Sequence, residues 1–198
     1  MPVLEQEPIL YPPTVLDDPV MDAVSASADF ERASLDSQWF VAHTKPRQEK
    51  ALARYLLSCG IPYFAPQYCR ENPRRRGVVR SWIPLFTGYV FVRSNEAGRI
   101  EALQSNRIVA TLRVADQQRL LDDLRRVKRL LDAELPLYPE EKLQAGSRVR
   151  IATGTLAGME GTVVCRHGRH RFVVAVDFIQ RGVSVEIDAR ALEPLPEH

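Results

Sequence analysis

Few side chains in this 198-residue sequence could do chemistry, and they fall into two groups. The first is Cys165-Arg166-His167-Gly168-Arg169-His170, which places a thiol and two imidazoles within six residues. Such groups ligate zinc, but the run spans a tight turn between expected strands and no fourth ligand is evident. None of His43, His167, His170 and His198 has a carboxylate or nucleophile at a recognisable motif spacing. Gly154, Gly158 and Gly161 are not followed by Lys-Ser or Lys-Thr, so they make no phosphate loop, and no GxGxxG occurs. The expectation is a protein that is not an enzyme and holds no metal or other cofactor.

The second group is cationic. Lys45, Arg47, Gln48, Lys50 and Arg54 crowd one short segment, and Arg74-Arg75-Arg76 stand in a row. Residues 38–132 carry 18 basic and eight acidic side chains, whereas residues 1–37 carry one basic and eight acidic, and residues 133–198 eight and nine. The basic middle segment suggests nucleic acid or another polyanion as partner; a merely solvated face is the plain alternative. Three cysteines without paired spacing fit a reduced, cytoplasmic setting. No stretch resembles a signal peptide or a membrane span, so a soluble protein is expected.

The elements that must position these groups are organised around Tyr89-Val90-Phe91-Val92, a β-branched and aromatic run read as a strand at the centre of a sheet. Residues 1–37, with scattered prolines and acids, read as a disordered acidic tail. Trp39 to Thr44 is a strand, 46–58 a helix with Pro46 in its first turn and Thr44 as cap, and 67–83 a hairpin with the three arginines on its tip. Residues 95–104 form a short helix capped by Asn95, Ile108 to Val114 a strand, and Ala115 to Asp132 an amphipathic helix with leucines at helical spacing. Residues 133–144 read as a proline-containing linker. From 145 to 194 the pattern turns to short strands and glycine turns, a small barrel, and 195–198 is a tail. The fold class is therefore α+β: a sheet with packed helices, then an all-β barrel.

Two segments together resemble the NusG family of transcription elongation factors. Trp39-Phe40-Val41, Lys45-Pro46-Arg47-Gln48-Glu49 and Pro84 to Val92 resemble its N-terminal (NGN) domain, over residues 38–132. Ala145 to Ile151, Gly154 to Val163 and Val176 to Gly182 resemble a KOW domain, an SH3-like barrel, over residues 145–194. The resemblance implies that the NGN domain binds the clamp of RNA polymerase through an apolar depression, matched by His43, Phe86, Tyr89 and Leu130. It implies that Lys45, Arg47, Gln48, Arg54 and Arg107 lie near non-template DNA, and that the protein modulates pausing and termination or acts in antitermination. It implies that Thr153, Gly154, Thr155, Leu156, Phe178 and Ile179 recruit Rho or a small-subunit ribosomal protein, with Leu156 as an exposed anchor. A monomer is expected, with the barrel in β form. General factor and specialised paralogue of the RfaH-like type both stay open. The alternative, a ribosome- or RNA-binding KOW protein, explains the barrel and the charge but not the NGN match.

Overall fold

The computed structural model of the chain describes residues 8–17, 37–74, 77–143, 146–166 and 168–195. It divides into two compact units, Met1–Gln117 and Gln118–His198.

The first unit is built on β6 (Tyr89–Ser94), whose Val90, Phe91 and Val92 are completely buried. Its neighbours are β2 (Gln38–Thr44) and the short β3 (Tyr63–Phe64). The outer strands are β1 (Leu10–Tyr11) and β7 (Ile108–Arg113). The order is β1-β3-β6-β2-β7, every pair antiparallel, so the apolar run is the central strand, as expected. Phe40 and Ala42 of β2 lie opposite Val92 and Val90. They meet Leu52, Ala53 and Leu56 of α1 (Glu49–Ser58) in one cluster with Tyr63 and Ile61. Leu52 and Leu56 are fully buried, and each such side chain contributes roughly 1.5–3 kcal/mol. The hairpin β4 (Gln67–Arg74) and β5 (Gly77–Pro84) forms a separate two-stranded sheet. Helix α2 (Glu96–Gln104) starts as expected, with Asn95 Oδ1 accepting from the Gly98 amide.

Three expectations need correction here. Residues 8–17 are not tail. Leu10 and Tyr11 pair with Phe64 and Tyr63, the Ala65 amide donates to Ile9 O, and Tyr63 Oη donates to Pro8 O. Val15 and Leu16 are buried. Ile9, Leu10, Tyr11, Val15 and Leu16 make this stretch apolar, and an otherwise open sheet edge accepts Leu10 and Tyr11. The rest of the expected tail, residues 1–7 and 18–36, lies outside the described residues. Helix α1 starts at Glu49 and not at Pro46, and Thr44 is not its cap, because Arg47 sits at φ +60°, a left-handed conformation no helix accommodates. Residues 133–144 are not simply a linker, because β8 (Leu137–Glu140) pairs with β12 (Arg181–Glu186).

The second unit holds most of α3 (Gln117–Asp132) and a six-stranded antiparallel sheet. The strands are β8, β9 (Ser147–Ile151), β10 (Glu160–Arg166), β11 (Arg169–Val176), β12 (Arg181–Glu186) and β13 (Leu192–Pro194), in the order β13-β9-β10-β11-β12-β8. Alternation places Phe172, Val174 and Val176 inside, beside Val183 and Val185. Gly161 allows two strands to approach: a Cβ there would meet Val173 O at 2.6 Å and the Phe172 ring at 2.7 Å. This is the β-rich, KOW-like region that the sequence announced.

Candidate nucleic-acid and protein interfaces

The cationic segment is positioned by the crossing of two loops. The loop after β2 and the loop before β7 are joined by their backbones, with Lys45 N–H donating to Arg107 O at 2.8 Å. Their side chains add two further links. Lys45 Nζ donates to Asn106 Oδ1 at 2.9 Å, and Arg107 Nη1 donates to Gln48 Oε1. Arg47 and Asn106 both adopt left-handed backbone, at φ +60° and +56°. Such a conformation costs a non-glycine residue about 1–3 kcal/mol and persists only where its surroundings hold it. Here the loop-to-loop bonds hold it, and Lys45, Arg47 and Asn106 are exposed. The structure thus brings Lys45, Arg47, Gln48 and Arg107 together, although 59 residues separate Gln48 from Arg107. Arg54 is exposed on α1. Asn106 belongs to this group and was not singled out from the sequence; its place just before Arg107 was the available signal. Arg75 and Arg76 of the hairpin tip lie outside the described residues.

The expected polymerase-facing residues are treated less evenly. His43 and Tyr89 stack, with ring centroids 5.3 Å apart and planes at 28°, and both are half-buried. The stack has a backbone cause. A register shift follows His43 in β2, and Gly88, at φ +86°, passes beneath the imidazole, its Cβ position 3.7 Å from that ring. The Gly88 amide donates to Glu49 Oε1 at 2.7 Å and its carbonyl accepts from Thr44 N at 2.8 Å. Phe86 is only 1% exposed and meets Phe91 edge-on, centroids 5.7 Å apart. It is a core residue of its unit in this structure. Leu130, in the second unit, is likewise fully buried on α3. Both were chosen as surface residues by position in a motif, and position alone does not distinguish an apolar anchor from an apolar core.

In the second unit Thr153, Gly154 and Thr155 are exposed, with Gly154 at φ +90°. Leu156 is not the exposed anchor expected: it is 4% exposed, folded inward with Met159. The exposed apolar group is Phe178, in the 3₁₀ turn Asp177–Ile179, where Ile179 is half-buried. Helix α3 is fastened beside both loops. Asp123 Oδ2 accepts from the Asp177 amide at 3.0 Å, Arg119 pairs with Asp177, and Arg129 donates to Ala157 O at 3.2 Å. Burial pushes the Asp123 carboxyl above its ordinary range, against the opposing pull of the Asp177 amide and Arg126. On the sheet, the Arg150 and Arg169 guanidiniums hold Glu160 and Glu186 below theirs. Cys165 and His170 face each other across β10 and β11, both exposed, while His167 lies outside the described residues. Among the described residues no three His, Cys, Asp or Glu side chains group as metal ligands. No helix among them is long and apolar enough to cross a membrane.

The family described as "Transcription termination factor nusG" matches residues 37–134. Through this domain the chain belongs to the NusG family. The match covers β2 to α3 and includes the crossed loops and the His43–Tyr89 stack. Among solved structures, one titled "Domain interaction in Thermotoga maritima NusG" is 16% identical with a TM-score of 0.46, covering 82% of this chain and 99% of its own. Another, an MjSpt4:Spt5 complex in conformation B, is 15% identical with a TM-score of 0.25, covering 81% and 98%. Comparison with curated proteins gave no match. The family places the chain among transcription elongation factors, with partners in the transcription machinery.

Proposed function

We propose that the chain binds RNA polymerase through its NusG-family domain and modulates pausing and termination, acting in antitermination, with no catalytic activity of its own. The observation that carries this reading is the convergence, within that domain, of the cationic crossed loops and the His43–Tyr89 stack at the same end of β2. A half-buried aromatic pair provides rigid apolar area for a protein partner. The cations beside it provide attraction for the phosphates of non-template DNA. Tyr89 and His43 are the polymerase contact in this reading, and Lys45, Arg47, Gln48, Arg54 and Arg107 the DNA-facing set.

In the second unit, Thr153, Gly154 and Thr155 with Phe178 and Ile179 form the surface for a further partner, Rho or a small-subunit ribosomal protein. Phe178 takes the anchoring role in place of Leu156. The protein works in the cytoplasm, as a monomer.

A pause assay on purified polymerase tests the reading. The full chain should alter dwell at pause sites, Tyr89→Ala should weaken binding, and Lys45→Ala with Arg47→Ala should weaken it with a reduced salt slope. Recovery of ribosomal RNA rather than polymerase with the purified chain would favour the ribosome- or RNA-binding alternative and sink this one.

A further inference from the structure

The base of the hairpin buries a polar side chain that no neighbour matches. Gln67 opens β4 opposite Pro84 and is 2% exposed. Neither its Oε1 nor its Nε2 meets a hydrogen-bond partner among the described residues. A carboxamide offers two donors and an acceptor oxygen, and shutting it away from water without partners is costly. The surroundings explain why no direct partner is found. Pro66 and Pro84 carry no N–H, and the Ala65 amide already donates to Ile9 O at 2.6 Å.

Gln67 lines a small cavity together with Glu49, Lys50, Pro66, Pro84 and Tyr89. Its volume is about 10 Å³, room for a single water. Glu49 is buried as well, and the Gly88 amide engages its Oε1, which leaves Oε2 for another donor. Buried cavities lined by apolar groups stay dry, whereas those with two or more polar groups on their walls hold water. A carboxylate and a carboxamide on one wall set make this cavity the second kind.

We propose that one buried water occupies this cavity, donates a hydrogen to Glu49 Oε2 and bonds to the Gln67 amide, and so joins the base of the hairpin to the first turn of α1. Gln67 is then a positioning residue for Tyr89. Through the water it steadies the carboxylate that holds Gly88, and Tyr89 follows Gly88 and lines the same cavity. The water site is independent of the polymerase contact proposed above.

Water-to-amide Overhauser spectra of the isotope-labelled full chain test this, with the rotating-frame experiment separating proximity from proton exchange. The Gln67 side-chain amide protons should show cross-peaks to a water that tumbles with the protein. Gln67→Met keeps the length and the unbranched shape while removing the polar atoms. Relaxation dispersion of the water oxygen should then count one long-held water fewer, and the Gly88 amide should exchange several-fold faster. Gln67→Glu sets a second carboxylate on the cavity wall with Glu49, where Lys50 is the other charged residue. Two carboxylates sharing a site resist ionising together, so one of them should titrate above the ordinary carboxylate range in carboxyl-carbon spectra. Cross-peaks of fast surface water, or none, at Gln67 would show a dry cavity and overturn the proposal. An unchanged water count in Gln67→Met, or ordinary titration of both carboxyls in Gln67→Glu, would overturn it by showing that Gln67 and Glu49 do not share a water. Unchanged Gly88 exchange beside a lost water would overturn the positioning role.

Discussion

Glu49 should be among the most costly polar residues of the first unit to remove. It is 4% exposed, it opens α1, and its Oε1 accepts the Gly88 amide at 2.7 Å. Gly88 in turn sets the φ +86° turn that delivers Tyr89 into β6 beneath His43. A hydrogen bond to a charged group is worth about 1.5–3 kcal/mol, and an acid in the first turn of a helix adds about 0.3–1 kcal/mol through the helix dipole. Relief of the buried carboxylate's desolvation offsets part of this, which leaves a loss of about 2–3 kcal/mol for Glu49→Ala. Glu49→Gln keeps an acceptor without the charge and should cost about half as much. Both tryptophans, Trp39 and Trp82, lie in the first unit, so tryptophan fluorescence during guanidinium unfolding of the full chain reports on it selectively. Hydrogen exchange at the Gly88 amide gives the local readout, and protection there should fall in both variants. A loss under about 0.5 kcal/mol for Glu49→Ala, with Gly88 exchange unchanged, would show that this bond does not hold the turn.

Other expectations separate core from surface. Phe86→Ala should cost about 3–5 kcal/mol of fold stability, as for a buried ring edge-on to Phe91. Tyr89→Ala should leave the fold nearly intact and cost about 1–3 kcal/mol of polymerase affinity; the reverse pattern in paired denaturation and binding measurements would exchange their roles. Gly161→Ala should lower the thermal midpoint of the second unit more than Gly154→Ala, since the first meets backbone at 2.6 Å and the second only carries the strain of φ +90°. Equal shifts in circular dichroism melts would contradict the close strand approach. Asp123 has a folded-state pKa raised above 3.8 by burial, so its contribution to stability is present at low pH and is lost as pH rises through that raised value. Asp123→Asn should therefore gain on the unaltered protein as pH rises through the acid range, and a difference flat with pH in urea titrations would refute the assignment.

Much of the fold was legible because periodicity reports burial directly. Val90 and Val92 were readable as core, and their strand does lie at the centre of the sheet. Asn95 capped its helix as its side chain predicts; the hairpin formed, but Asn72 and Pro73, read as its turn, are paired with Val79 and Val78 inside the ladder. What failed were statements about contacts distant in sequence. The pairing of Leu10 with Phe64 and of Pro139 with Val183 depends on an open strand edge elsewhere in the chain, which no local pattern encodes. The left-handed Arg47 was equally hidden. Lys45-Pro46-Arg47-Gln48 reads as the first turn of a helix until the partner loop at Asn106 and Arg107 is in place.

The same distinction separates the cationic residues from the apolar ones. A charged or amide side chain is costly to bury unpaired, so it stays on or near the surface, and Lys45, Arg47, Gln48 and Arg107, singled out through the family resemblance, do come together at the crossed loops. An aromatic or a leucine is equally at home inside and at an interface. Phe86, Leu130 and Leu156 went inside, and Tyr89 and Phe178 remained accessible. Tyr89 is held accessible by Gly88 and Glu49, and Phe178 by the 3₁₀ turn whose first amide Asp123 captures. In each unit, then, a ring that is at least partly accessible (half-buried Tyr89, exposed Phe178) follows a backbone amide held by a buried carboxylate from a helix. Removing either carboxylate should disturb the neighbouring ring before it unfolds the unit. Both rings are therefore positioned by polar groups that the sequence alone did not mark.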